Sequence, residues 1–325
     1  RGDVHRHLLA DLGQSARIPG GFHRHQNADA AHIIRAFDLG VHVSRDHALA
    51  DRQRRRTAQR DVLADRRHVR RHLGTNHLDA ARLGVAAAAG QALKKVVLEL
   101  GGSDPYLILA DANLEHAAQC CVQSRLNNSG QVCIAAKRIL VDQAIASPFI
   151  EQVLAQARHY HGGDPLDITT TMGPLARQDL LLSLEEQVNR VMNEGARCLL
   201  GGQRQAGKGY FYPATVLIDV PINSFIINEE LFGPIICITT VQSEQQAIEL
   251  ANQSCYGLSA AVFTQDEQRG QRIAEQLEVG ACAINNFVAS DPRLPFGGIK
   301  QSGFGRELAI EGLHEFANTK IIITN

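Results

Sequence analysis

Seven cysteines are spread through the 325 residues, and Cys133 differs from the other six in its surroundings. It closes the stretch NNSGQVC, residues 127–133, so a Gly-containing loop of small residues and amides leads into the sulfur. A thiol on such a loop can be reached. The residues that follow it favour a short helical turn. The leading amides of that turn would stabilise a thiolate and donate to an oxyanion formed on a carbonyl that the sulfur attacks. Glu99 lies 34 residues earlier, in LELGG at the end of an apolar run, where a carboxylate can face a cleft. Each residue also has a plainer reading. Free cysteine is among the most buried residue types and is often an inert core thiol. A Glu before two glycines can be a surface residue in a turn.

The elements that must position this pair read as a folded α/β protein from Gly84 onward. GVAAAAGQALKK has the composition of a helix end. VVLEL, residues 96–100, is a short apolar strand closed by Gly101 and Gly102, and YLIL, residues 106–109, is a second strand. Asp111 is placed to cap a helix over 113–126, and RILV at 138–141 is a strand. Pro148 opens a helix to about residue 159. LSLEEQVNRVMNE is an amphipathic helix stopped at Gly195, with a strand after it. FYPATVLIDV, PIICITTV, LSAAVFT and ACAIN contain further strands, with helices in EQQAIELANQS and QRGQRIAEQLE, and KIIIT, residues 320–324, is a late β-branched strand. Alternating strands and helices imply a mostly parallel sheet with right-handed crossovers.

Composition limits the remaining possibilities. The formal net charge of -1 does not suit a polyanion-binding chain, and no apolar run approaches the ~20 residues of a membrane span. An odd number of cysteines without a CxxC argues against a disulfide framework or a zinc site. A reducing, cytoplasmic location is therefore expected, and no secretory signal pattern is found. The average hides a break near residue 84. Residues 1–83 hold 16 Arg, ten of the 14 His and nine Asp, a formal charge of +7, with no Lys, Glu, Cys, Met, Trp or Tyr. A basic nucleic-acid arm, a disordered linker and a GC-rich gene read in the wrong frame each fit some of this; the last fits the missing Lys and Glu best, with disorder following from it.

VLELGGSDP, then NNSGQVCIAAKR, then EELFGP at 229–234, then PFGGIKQSGFGRE at 295–307 resemble, in order and spacing, the NAD(P)-dependent aldehyde dehydrogenase superfamily. Residues 84–325 carry the resemblance. SDP after LELGG and the ending GRELAIEGLHEF look like its succinate-semialdehyde dehydrogenase branch. The resemblance implies an α/β parallel-sheet, Rossmann-like catalytic domain over 101–302. It also implies the end of a coenzyme domain over 84–100 and a C-terminal segment, 303–325, whose strand joins subunits. It implies Cys133 as nucleophile, Glu99 as the base for the deacylating water, and Glu307 as a second carboxylate in proton release. Glu230, Phe232 and Leu100 would contact NAD or NADP, and Ser290 and Arg125 a substrate carboxylate. Phe232 as plain core and Glu307 as a partner of a nearby cation stay open. The implied reaction oxidises a small-molecule aldehyde through a cysteine thiohemiacetal and thioester. No metal, nucleic acid or membrane is implied, and intact relatives would be homo-oligomers.

The chain also departs from the family. Neither the family's loop Asn of the oxyanion hole nor its adenosine-ribose Lys has a counterpart in residues 1–83, where no Lys occurs at all. Losing one oxyanion donor costs ~100–1,000-fold in rate. The 325 residues alone are therefore expected to be inactive or nearly so, and the runner-up reading is a dead remnant that only oligomerises. Asn127 stands where some succinate-semialdehyde enzymes carry an Arg, leaving Arg125 or Arg293 as substitutes. A Cys–His acyltransferase or hydrolase is a further alternative, although His116, His159, His161 and His314 form no recognisable motif.

Overall fold

The runs read as strands are apolar at nearly every position, and a strand apolar on both faces must be covered on both. The computed structural model of the protein describes residues 77–204 and 207–324. The reading of residues 1–83 therefore lies almost wholly outside the described residues. The elements are α1 His77–Gln91, β1 Leu98–Glu99, β2 Pro105–Ile108, α2 Leu114–Leu126, β3 Arg138–Asp142, α3 Ala146–Ala157 and α4 Gln178–Asn193. They continue with β4 Arg197–Leu200, β5 Thr215–Ile218, β6 Ile235–Val241, α5 Glu244–Asn252, β7 Tyr256–Gly257 and β8 Ser259–Phe263. The last are α6 Glu267–Ala274, β9 Ala281–Ile284, β10 Ile299–Lys300, β11 Gly303–Phe304 and α7 Ala309–Glu315.

Seven strands form one sheet in the order β4-β5-β6-β3-β2-β8-β9. All its pairs are parallel except β4–β5 at the edge. Alternate residues feed opposite cores. Tyr106, Ile108, Ile139, Val141, Ile236 and Phe263 pack with Phe149 and Val153 of α3 on one face. On the other face, Leu107, Leu140 and Val262 pack against α5 and α6, and Leu217, Ile235 and Cys237 against α4. The result is a three-layer α/β arrangement around a mostly parallel sheet, as the alternation of elements required. Two short antiparallel pairs, β1–β11 and β7–β10, lie outside the sheet.

Three local expectations need correcting. The N-cap of α2 is Asn113, whose Oδ1 accepts from the His116 N–H at 3.1 Å. Asp111 instead follows β2 and binds across to residues after β8. Helix α3 begins two residues before Pro148, which sits in the first turn, where its missing N–H has no intrahelical acceptor to lose. KIIIT pairs with no strand of the described residues, and Ile321, Ile322 and Ile323 are exposed; the strand implied for it needs the edge of another subunit. No helix of the described residues is long and apolar enough to cross a membrane.

Candidate active site

The loop before Cys133 is built on three successive left-handed residues. Asn128, Ser129 and Gly130 have φ of 51°, 56° and 74°. Asn and Gly tolerate this region, and Ser129 is held in it by its Oγ donating to the Gly173 carbonyl at 2.7 Å. A Cβ on Gly130 would lie 2.1 Å from the Gly233 oxygen, so only glycine allows NNSG to press against the LFGP loop. Arg125 fastens the two loops from beneath. Its Nε donates to the Ile235 carbonyl at 2.5 Å, Nη2 to Leu231 at 2.7 Å and Nη1 to Gly130 at 3.5 Å. The side chain is fully buried and burial lowers its pKa to about 10. This corrects the expectation that Arg125 meets a substrate carboxylate: its guanidinium is committed to backbone oxygens inside the fold.

Beyond the loop, residues 132–135 make a single turn closed by the Ala135 N–H to the Val132 carbonyl at 3.2 Å, rather than a helix. Lys137 ties this turn down. Its Nζ donates to the carbonyls of Val132 at 3.1 Å and Cys133 at 2.5 Å, and lies 2.9 Å from Glu230 Oε1. Both side chains of the Lys137–Glu230 pair are 2% exposed. The same Glu230 oxygen accepts from the Gly102 N–H at 3.3 Å, and a Cβ on Gly102 would come 3.3 Å from the Cys133 oxygen. Thus LELGG, the cysteine turn and EELFGP meet.

The fourth motif completes the enclosure. Strand β1 pairs antiparallel with β11, setting Glu99 opposite Gly303, and the Leu100 N–H donates to Ser302 at 3.0 Å. A Cβ on Gly297 would lie 2.9 Å from Glu99 Oε1, so the FGG glycine leaves room for that carboxylate. Phe296 packs with Ile134 and Leu258, with Cys133 against the same cluster. Phe296 also exchanges two backbone hydrogen bonds with Glu307, at 2.8 and 2.7 Å.

Burial dominates the electrostatics and pushes the Cys133 thiol up to about 11. Lys137 opposes the rise, while Asp104, Glu230 and Glu99 add to it. The turn amides expected to favour a thiolate are therefore outweighed by desolvation. Burial likewise raises Asp104 to about 6, against the pull of Lys137 and of the Ser259 hydroxyl. Its Oδ2 accepts from Ser259, and its Oδ1 is buried without a hydrogen-bond partner.

The structure thus brings Cys133, Glu99 and Glu230 into one electrostatic neighbourhood. Leu100 is buried beside them and Phe232 is half-buried two residues beyond Glu230. Glu307 is half-buried and anchored to Phe296. Ser290 is exposed on the segment between β9 and β10, and Arg293 there grips Asp291 through two contacts of 2.9 and 2.6 Å. Lys137 and Asp104 were not anticipated as part of the site. Their signal was a Lys four residues after the cysteine in an otherwise small and apolar stretch, and an Asp directly before a buried strand. No group of three His, Cys, Asp or Glu among the described residues could hold a metal ion.

Residues 78–322 match the aldehyde dehydrogenase family. The chain belongs to the aldehyde dehydrogenase family. Among its family relatives, it is 49% identical over 238 residues to the succinate semialdehyde dehydrogenase Sad of Escherichia coli strain K12, named for NAD(P)+. That alignment covers 73% of this chain and 52% of the relative. The crystal structure of lactaldehyde dehydrogenase from Escherichia coli is similar at a TM-score of 0.73 and 35% identity, over 75% of this chain and 51% of the other. The betaine aldehyde dehydrogenase of Staphylococcus aureus, solved in complex with NAD+, is similar at 0.70 and 35%, over 73% and 48%. This aldehyde dehydrogenase chain spans about half the length of the curated relatives it matches.

Proposed function

We propose that the chain carries the nucleophile-bearing part of an NAD(P)-dependent aldehyde dehydrogenase that oxidises succinate semialdehyde to the acid. The observation that supports this reading is the convergence of all four motifs on Cys133: Gly102 against its carbonyl, Lys137 and Glu230 beside it, and Glu99 enclosed by Gly297. The substrate assignment follows the names of the relatives, with Ser290 as the proposed contact to the distal carboxylate.

In this reading the Cys133 thiol ionises and adds to the aldehyde carbon, and the Cys133 N–H donates to the oxygen that becomes negative. The residues present suit a nicotinamide coenzyme: the Glu230 carboxylate is an acceptor for ribose hydroxyls, and its Oε1 is held in place by Lys137 and the Gly102 N–H. Glu230 would hold the coenzyme's ribose and Phe232 and Leu100 its ring, and the group would supply the acceptor for the hydride of the aldehyde carbon. Glu99 then takes a proton from the water that opens the thioester, and Glu307 passes that proton outward. The Cys–His alternative has less support, because the charged groups acting on the thiol are Lys137, Asp104, Glu230 and Glu99.

An activated aryl ester tests nucleophile and base directly, since acylation of sulfur and its hydrolysis need no coenzyme. The full chain is expected to release the aryl alcohol in a burst. Cys133→Ala abolishes the burst. Glu99→Gln keeps it but slows deacylation by ~100-fold or more, so the acyl-enzyme accumulates. A burst that survives Cys133→Ala would sink the assignment. The matched region covers about half of each relative, so the 325 residues alone are expected to give no NADH or NADPH from semialdehyde. Turnover would refute that part.

A further inference from the structure

We propose that Lys137 is a positioning residue for the nucleophile: it closes the turn that presents Cys133 and counters the carboxylates that oppose thiolate formation. The proposal rests on the reading of Cys133 as nucleophile and adds a residue to it. An ammonium carries three donors, and Lys137 has three acceptors: the Val132 and Cys133 carbonyls and Glu230 Oε1. A buried cation is costly to desolvate and persists only when so fully partnered. Two of those partners belong to the turn that holds the sulfur. The third is a carboxylate from the loop before β6.

The charges facing the thiol explain why this position matters. Asp104 comes from the segment before β2, Glu230 from the loop before β6 and Glu99 from β1, against one ammonium two residues beyond the cysteine's turn. Three carboxylates oppose ionisation of the sulfur, and Lys137 is the group that favours it. Its pairing with Glu230 also neutralises one of the three. A neutral side chain at 137 would remove both effects and leave the turn carbonyls without their donor.

The test is alkylation of Cys133 by iodoacetamide in the full chain, followed on its own peptide by mass spectrometry, with neither aldehyde nor coenzyme present. Below the thiol midpoint the rate at fixed pH tracks the thiolate fraction. Lys137→Met is expected to slow it about tenfold, the lower end of what a neighbouring charge does to a pKa. Glu230→Gln is expected to speed it, and Lys137→Arg to stay near the wild-type rate. Opposite signs for the two neutral variants distinguish charge from mere scaffolding. An unchanged rate in Lys137→Met, or both variants moving the same way, overturns the proposal. If Lys137→Met does not fold, the double variant with Glu230→Gln lacks the stranded carboxylate and takes its place. It should react about tenfold more slowly than Glu230→Gln alone, and equal rates overturn the proposal. Ester acylation with no Lys137 effect on alkylation would remove this role alone; failure of acylation would remove the dehydrogenase reading and leave the alkylation comparison standing.

Discussion

The two ends of the parallel sheet carry similar residue types and treat them in opposite ways. At the carboxyl ends, Asp111 after β2, Thr264 after β8 and Asn285 after β9 interlock. Asp111 accepts from the Thr264 hydroxyl at 2.7 Å and the Gln265 N–H at 2.9 Å and pairs with Arg269, which also holds Glu244. Asn285 bonds both the N–H and the carbonyl of Thr264, and His116 bonds the Asn285 carbonyl. At the amino ends, Asp104 before β2, Cys133 and Lys137 before β3 and Glu230 before β6 crowd together in a buried space. Burial works to raise Asp111, but its hydrogen bonds and Arg269 hold its carboxyl below the usual range; burial lifts Asp104 above it. A matched, half-exposed network stabilises. A buried network with excess negative charge instead displaces pKa values, which is the property a reactive site needs. Ligands of open parallel sheets commonly bind at the carboxyl ends; here that end is filled by structure and the proposed nucleophile, Cys133, lies at the other.

The sharpest way to break this comparison is to cut the fastening under the amino-end loops. Arg125→Met leaves the carbonyls of Ile235, Leu231 and Gly130 without their donor. With about 1–3 kcal/mol for each of the three buried carbonyls left without this donor, the expected loss is ~3–9 kcal/mol. Urea unfolding checks it. A loss under ~1 kcal/mol would show that the two loops hold together without Arg125.

Asp104 gives the next largest effect, and it depends on pH. Its folded pKa of about 6 exceeds the unfolded value of 3.8. The folded state therefore holds the proton more tightly. The stabilisation is complete below the unfolded value and is lost as pH rises through about 6. The change across that window is ~3 kcal/mol at most, from about 1.4 kcal/mol for each tenfold difference in proton affinity between the folded and unfolded states. Asp104→Asn keeps the shape, removes the charge and should flatten stability between pH 4 and 6, measured by urea midpoints across that range. A wild-type curve that rises through this window would mean that Lys137 and Ser259 outweigh burial at Asp104.

Much of the scaffold was legible because its signals are local. Apolar runs such as YLIL and RILV mark buried strands, whereas VVLEL keeps only Leu98–Glu99 as a strand, outside the seven-stranded sheet, and the Gly195 stop after α4 has φ of 117°. The site's key positions were legible for a different reason: four motifs were recognised as a set. Their meeting in space, through Gly102, Gly297 and Gly130, depends on contacts between residues far apart in sequence. Lys137 and Asp104 escaped notice because an isolated charge in sequence does not reveal whether it is buried. Arg125 was misread for the same reason: an Arg near a nucleophile looks like a substrate anchor until its carbonyl partners are known. KIIIT forms no strand among the described residues, because the resemblance gives it a partner only in another subunit.

The smallest expected effect tests whether the two ends are independent. Arg269→Met removes the cation shared by Asp111 and Glu244, side chains about a third exposed to water. Pairs this wet contribute little, so the loss should be at most about 1 kcal/mol and should shrink further in high salt. Asp111, with its carboxyl held below the ordinary range, contributes stability above the unfolded pKa and loses it as pH falls through the folded value, so the variant's deficit should close on the acid side. The Cys133 alkylation rate should not change, because the charges acting on that thiol come from Lys137, Asp104, Glu230 and Glu99. A shift in that rate would mean that the carboxyl-end network sets the position of β2, and through it Asp104, and that the sheet transmits strain between its ends rather than insulating one from the other.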